Sequence, residues 1–150
     1  CSFDFAASVV SQLRAEKQAS ETHRGDSKMT FKVMDARDMK GVASASFRAV
    51  VDKGTIDAML CTDQGKDNAR AICKEVGRVL SPGGVYLLVS HVAPDSDQGM
   101  ELLSEALLEG LRQGSPAGET TWSVDVHWSG GGGGSGSGDE GEEGSHGRAG

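Results

Sequence analysis

Three aspartates stand where a short apolar run gives way to polar residues: Asp4 after CSF, Asp35 after FKVM and Asp52 after AVV. A fourth, Asp57, closes the segment DKGTID that begins at Asp52. An ionised carboxylate accepts hydrogen bonds and pairs with cations. Acids aligned along one strand edge therefore suit a ligand with vicinal hydroxyls, an exocyclic amine or a positive centre. Asp after a strand also serves as a turn residue or a helix N-cap. The three together, followed by DKGTID and SPGG, favour the ligand reading. Lys53 stands inside the same segment; its structural alternative is a surface ion pair worth about 0–1 kcal/mol.

These acids need elements to hold them. Residues 1–4 read as the end of a strand, and residues 5–17 carry Ala6, Val9, Val10 and Leu13 at helical spacing. A polar connection with His23-Arg24-Gly25-Asp26 follows, then a strand over 29–34, a loop over 35–46 and a strand over 47–51. A short helical turn is expected over 56–60. An amphipathic helix is expected over 66–80, its inward side made by Ala69, Ile72, Cys73, Val76, Val79 and Leu80. Ser81-Pro82-Gly83-Gly84 closes it, because Pro and Gly stop helices. VYLLV at 85–89 is continuously apolar, as in a strand covered on both faces. A helix is expected over 100–111 and a half-covered strand over 120–128, with Trp122, Val124, Val126 and Trp128 alternating against polar residues.

Alternation of strands with helical crossovers predicts an α/β fold, a mainly parallel sheet with helices on both faces. The 34–47 connection is short for a crossover, which needs roughly a dozen residues or more. If the sheet is parallel, Asp4, Asp35 and Asp52 share one edge. The carboxyl ends of the strands are where open α/β sheets bind ligands.

With 150 residues there is room for one domain. Half of the 22 glycines fall after Ser129, in a run that buries too little apolar surface to offset its ordering entropy. The division is therefore 1–128 for the domain and 129–150 for a disordered, acidic, Gly-rich tail or connector. A net charge of −7 argues against a nucleic-acid surface. No apolar run is long enough to span a bilayer, and a cytoplasmic location is the default. Cys1, Cys61 and Cys73 lack CxxC spacing, and the four histidines lie scattered, so no metal site is expected. His91 follows VYLLV and stands at the acidic edge, where a lone histidine reads as structural or solvent-facing. The start at Cys1, in an apolar segment, reads as that of a fragment.

The ordered set FDFAASVV, VMDARDM, SFRAVVDKGTIDAML and EVGRVLSPGGVYLLVS resembles the body of a class I S-adenosylmethionine-dependent methyltransferase. The resemblance covers residues 2–128. VLSPGG is weakly specific; DKGTIDA resembles more narrowly the methyltransferase-like lysine methyltransferases of elongation factor 1-alpha and of citrate synthase.

The resemblance implies a Rossmann-like sheet and S-adenosyl-L-methionine as cofactor. It implies that Asp4 accepts the ribose hydroxyls with Phe5 beside it, and that Asp35 and Ala36 hold the adenine. Asp52 and Lys53 then meet the methionine end of the cofactor. The acceptor is a protein lysine amine, which must lose its proton, and Asp52 and Asp57 are candidates to orient it. Two departures stand out: the family's first strand with its glycine-rich turn, and its seventh strand, have no counterpart here, so the sheet is expected to be incomplete at both ends and the fragment alone inactive. A non-catalytic interaction module on the same fold is the alternative. A dinucleotide-binding oxidoreductase shares the sheet and the ribose acid but leaves the DKGT loop without a task.

Overall fold

The computed structural model describes residues 2–4, 6–21, 29–93, 96–116, 121–127 and 148–149. Phe5, the His23–Asp26 connection, Trp128 and most of the glycine-rich tail lie outside the described residues. No described helix is long and apolar enough to cross a membrane.

The chain folds as α/β. Strand β1 (Ser2–Asp4), helix α1 (Ala7–Glu21) and strand β2 (Phe31–Val33) form one unit, in which β1 and β2 pair in parallel with Asp4 opposite Val33. Helix α1 is fastened to this pair by its cations. Arg14 Nη2 and Nε donate to the Phe31 carbonyl at 2.7 and 3.1 Å, and Lys17 Nζ donates to the Met29 carbonyl at 2.6 Å.

The second unit is larger. Strand β3 (Phe47–Lys53) leads into α2 (Thr55–Leu60) and α3 (Gly65–Val79), and β4 (Leu80–Val89) returns parallel to β3. Helix α3 has the inward side that its spacing predicts: Ala69, Ile72, Cys73, Val76 and Val79 are all buried. Asp67 in its first turn and Arg78 in its last match the helix dipole. A second helical stretch packs on it, running from α4 (Asp97–Glu101) through a π-helical segment, Leu102–Leu108, into α5 (Glu109–Gly114). Gly110 lets the two approach closely: a Cβ there would stand 2.7 Å from the Arg70 carbonyl oxygen and from the Cys73 Cβ. Leu102, Ala106, Leu107 and Leu111 join the α3 side chains, Met39, Ile56 and Leu80 in one core.

Several expectations are revised. The single sheet appears as two separate parallel pairs, β1–β2 and β3–β4, and no described strand joins them. VYLLV is covered on one face only. Tyr86 and Leu88 pack against the core, whereas Val85, Leu87 and Val89 are 61%, 53% and 45% exposed, with Val51 of β3 at 67%. The period-two alternation of a strand divides the run in this way. SPGG does not separate helix from strand, because β4 starts at Leu80 and the register to β3 shifts within it. The 120–128 run shortens to β5 (Val124–Asp125), antiparallel to β6 (Arg148–Ala149).

The loop over 35–46 contains turns and no helix. Arg78 holds it down: Nη1 donates to the Val42 carbonyl at 2.7 Å and Nη2 to the Met39 carbonyl at 3.2 Å. Glu75 accepts the Met39 N–H at 2.7 Å and pairs with Arg78 at the same distance. This clamp ties the segment after β2 to α3, and so links the two parallel pairs.

Candidate functional site

At the end of β1, Asp4 is half-buried, and its Oδ1 accepts the Ala6 N–H at 2.8 Å at the entry to α1. Its carbonyl accepts the Met34 N–H at 2.9 Å. The parallel register therefore brings Asp35, the next residue after Met34, to the same end of the same pair as Asp4. Ala36 follows, half-buried against the core.

The Asp35 carboxylate is engaged by Arg37. Nη2 lies 2.7 Å from Oδ2, Nε lies 3.0 Å from Oδ1, and the Arg37 backbone N–H reaches Oδ1 at 2.8 Å. These bonds hold the Asp35 carboxyl below its usual range, and Asp35 in turn raises the guanidinium. The Arg37 Nη1 also donates to Asn68 Oδ1 on α3 at 3.1 Å.

Four residues of the DKGTID segment take distinct structural places. Asp52 is only 7% exposed; its Oδ1 accepts the Thr55 N–H at 2.9 Å, which satisfies an otherwise orphan donor of α2. Its Oδ2 lies 3.4 Å from the Tyr86 hydroxyl. The Asp52 carboxylate is thus turned inward, where the Tyr86 hydroxyl and the Cys73 thiol are both pushed up by burial, Cys73 to about 12. Gly54 supplies the left-handed backbone of the strand-to-helix turn, with φ 81°. Lys53 is exposed at the strand end, opposite Val89 in the β3–β4 register.

Asp57, the last member, is 8% exposed on the first turn of α2 and reaches the end of β4. Its Oδ1 accepts the Ser90 hydroxyl at 2.5 Å. Its Oδ2 accepts the His91 backbone N–H at 3.4 Å and lies 3.1 Å from His91 Nδ1. The imidazole itself is 79% exposed. Of the acids singled out by sequence, the structure brings Asp4 and Asp35 together at one strand end. It places Asp57 with His91 and Ser90 at another and puts Asp52 inside. Tyr86 and Ser90 carried no sequence signal, because their partners depend on register; Arg37 was not singled out although its partner Asp35 lies two residues away; His91 was marked only by its position after VYLLV.

Two carboxylates at the same end of adjacent parallel strands are acceptors of the kind that ribose hydroxyls and an adenine amine would need. Asp52 fits as a support for the turn that carries Lys53. The described residues form an α/β fold with acids at the ends of two parallel strand pairs. In sequence the chain is similar to proteins named as methyltransferases. The chain is 38% identical over 126 residues to the bovine (Bos taurus) protein called eEF1A lysine and N-terminal methyltransferase, covering 83% of this chain and 15% of that protein. The human (Homo sapiens) protein of that name is 37% identical over the same shares. Bovine EEF1A lysine methyltransferase 4 is 33% identical over 101 residues, 62% of this chain and 37% of that protein. The chain thus spans about 15% of the length of the first two relatives. No family model matches it. The relatives bear out the resemblance to class I methyltransferases of the methyltransferase-like kind.

Proposed function

We propose that the protein transfers a methyl group from S-adenosyl-L-methionine to a lysine amine of a protein, with eEF1A as the acceptor and the cytoplasm as the setting. The observation that carries this reading is the pairing of β1 with β2, which sets Asp4 and Asp35 at one end of adjacent parallel strands. The relatives that share the surrounding sequence bear the name of eEF1A methyltransferases.

Asp4 accepts the ribose hydroxyls. Asp35 accepts the adenine amine and the Ala36 backbone meets the ring edge. The Asp35–Arg37 pair keeps that carboxylate ionised and aimed, and Asp52 fixes the turn from which Lys53 projects. Bound there, the cofactor supplies an electrophilic methyl sulfonium; the protein's part is positioning and a suitable field.

The test is methyl transfer to purified eEF1A by the full-length protein with isotope-labelled S-adenosylmethionine, followed by mass spectrometry of the modified lysine. Label on a lysine of eEF1A is the expected result. Label on no protein, with both substrates intact, overturns the reading.

A further inference from the structure

A lysine amine is an ammonium ion at neutral pH and attacks carbon only after losing a proton. The methyl-transfer reading therefore requires a proton acceptor near the strand ends, and the inward-turned Asp52 is occupied by the Thr55 N–H and the Tyr86 hydroxyl.

We infer that His91 is that acceptor and that Asp57 positions it, an inference that rests on the methyl-transfer reading. The 3.1 Å separation of His91 Nδ1 from Asp57 Oδ2 places the ring proton on Nδ1 as a donor to the carboxylate. In the neutral ring this leaves the Nε2 lone pair to accept. The Asp57 carboxylate is itself fixed. It is buried on the first turn of α2, takes the Ser90 hydroxyl at 2.5 Å, and the Ser90 oxygen in turn accepts the Val92 N–H at 3.0 Å. A buried, doubly anchored acid thus orients an imidazole that is largely open to solvent, as an incoming side chain requires.

The ring stands at the end of β4, one residue beyond Ser90, while Lys53 ends β3 opposite Val89 and the Gly54 N–H donates to the Val89 carbonyl at 3.2 Å. Among the described residues, Asp57 is the charged group in contact with the ring, 3.1 Å from Nδ1. Lys53 stands at the adjoining strand end, and Asp97 opens the helix that follows.

The steps balance. Nε2 takes one proton from the acceptor ammonium, giving an imidazolium and a neutral amine. The amine nitrogen then forms a bond to the methyl carbon of the sulfonium donor. The carbon–sulfur bond breaks with its electron pair on sulfur, so a neutral thioether leaves and a methylammonium remains. The imidazolium returns its proton to water.

The test is single-turnover methylation of eEF1A by the full-length protein, comparing wild type with His91→Asn and His91→Ala. His91→Asn keeps an amide N–H for Asp57 and lacks the distal nitrogen. The rate constant is expected to fall about a hundredfold in both variants, with KM for eEF1A and S-adenosylmethionine binding unchanged. Added imidazole is expected to restore part of the rate in His91→Ala. Wild-type rates in His91→Asn, or a loss confined to KM, overturn the role of His91 and leave the methyl-transfer reading standing. No transfer by the wild-type protein overturns both.

Discussion

Asp35 and Arg37, two residues apart in sequence, form a fork in which guanidinium Nη2 and Nε meet carboxylate Oδ2 and Oδ1 at 2.7 and 3.0 Å. Both side chains are close to half exposed, so solvent screens the pair and it contributes little to stability. Its consequence is for binding. Arg37→Ala is expected to change S-adenosylmethionine affinity by no more than about fivefold, since a screened surface pair is weak. Asp35→Ala removes a charge-assisted hydrogen bond, worth about 1.5–3 kcal/mol, and is expected to weaken binding roughly ten- to hundredfold. Calorimetric titration of the two variants separates these outcomes.

The Glu75–Arg78 clamp predicts acid sensitivity. The Arg78 guanidinium, the largest influence on Glu75, together with the Met39 N–H, lowers the Glu75 carboxyl below its ordinary 4.5. A depressed folded-state value means that the stabilisation is full above 4.5 and is lost as pH falls through the lower folded value. Glu75→Gln is expected to flatten the decline in stability below pH 4.5 and to cost about 1–3 kcal/mol near neutrality. Denaturant midpoints measured across that range check both.

Gly110 should resist substitution. A methyl group there meets the Arg70 carbonyl oxygen and the Cys73 Cβ at 2.7 Å, and both belong to α3. Gly110→Ala is expected to force α5 away from α3 and to destabilise by about 1–3 kcal/mol, despite alanine's better helix propensity. A shift of the thermal midpoint to higher temperature would refute the close approach.

The two described cysteines should differ in reactivity. Cys73 is buried and its thiol is pushed up to about 12, chiefly by burial, whereas Cys61 is exposed. Iodoacetamide at pH 8 is expected to modify Cys61 in the folded protein and Cys73 only after unfolding, which peptide mass mapping resolves.

The sequence carried the local part of the structure well. Helix α3 was legible because Ala69, Ile72, Cys73, Val76 and Val79 repeat at helical spacing, and it lies at Gly65–Val79 against an expected 66–80. The α/β alternation was legible for the same reason. What pairs with what was not. VYLLV reads as a doubly covered strand, yet coverage depends on neighbouring elements that a single run does not name, and Val85, Leu87 and Val89 face outward. The site divides in the same way. Asp4 and Asp35 were legible as strand-ending acids, and the parallel pairing set them at the same end of β1 and β2. Asp52 has the same local signature as they do, but its neighbours Thr55 and Tyr86 draw it inward. The contact of Asp57 with His91 spans 34 residues and follows from the β3–β4 pairing, which no periodicity reports.

Binding of S-adenosylmethionine by the acids at the end of the β1–β2 pair is checked by calorimetric titration of the full-length protein, wild type beside Asp4→Asn. Asparagine keeps an oxygen for the Ala6 N–H that Asp4 now binds at 2.8 Å, so the entry to α1 is preserved while the charge is lost. Saturable binding is expected of the wild type, weakened about tenfold or more in Asp4→Asn, because charged acceptors make the stronger bonds to hydroxyls. No binding heat from the folded wild-type protein, or equal affinities in the two, would contradict it.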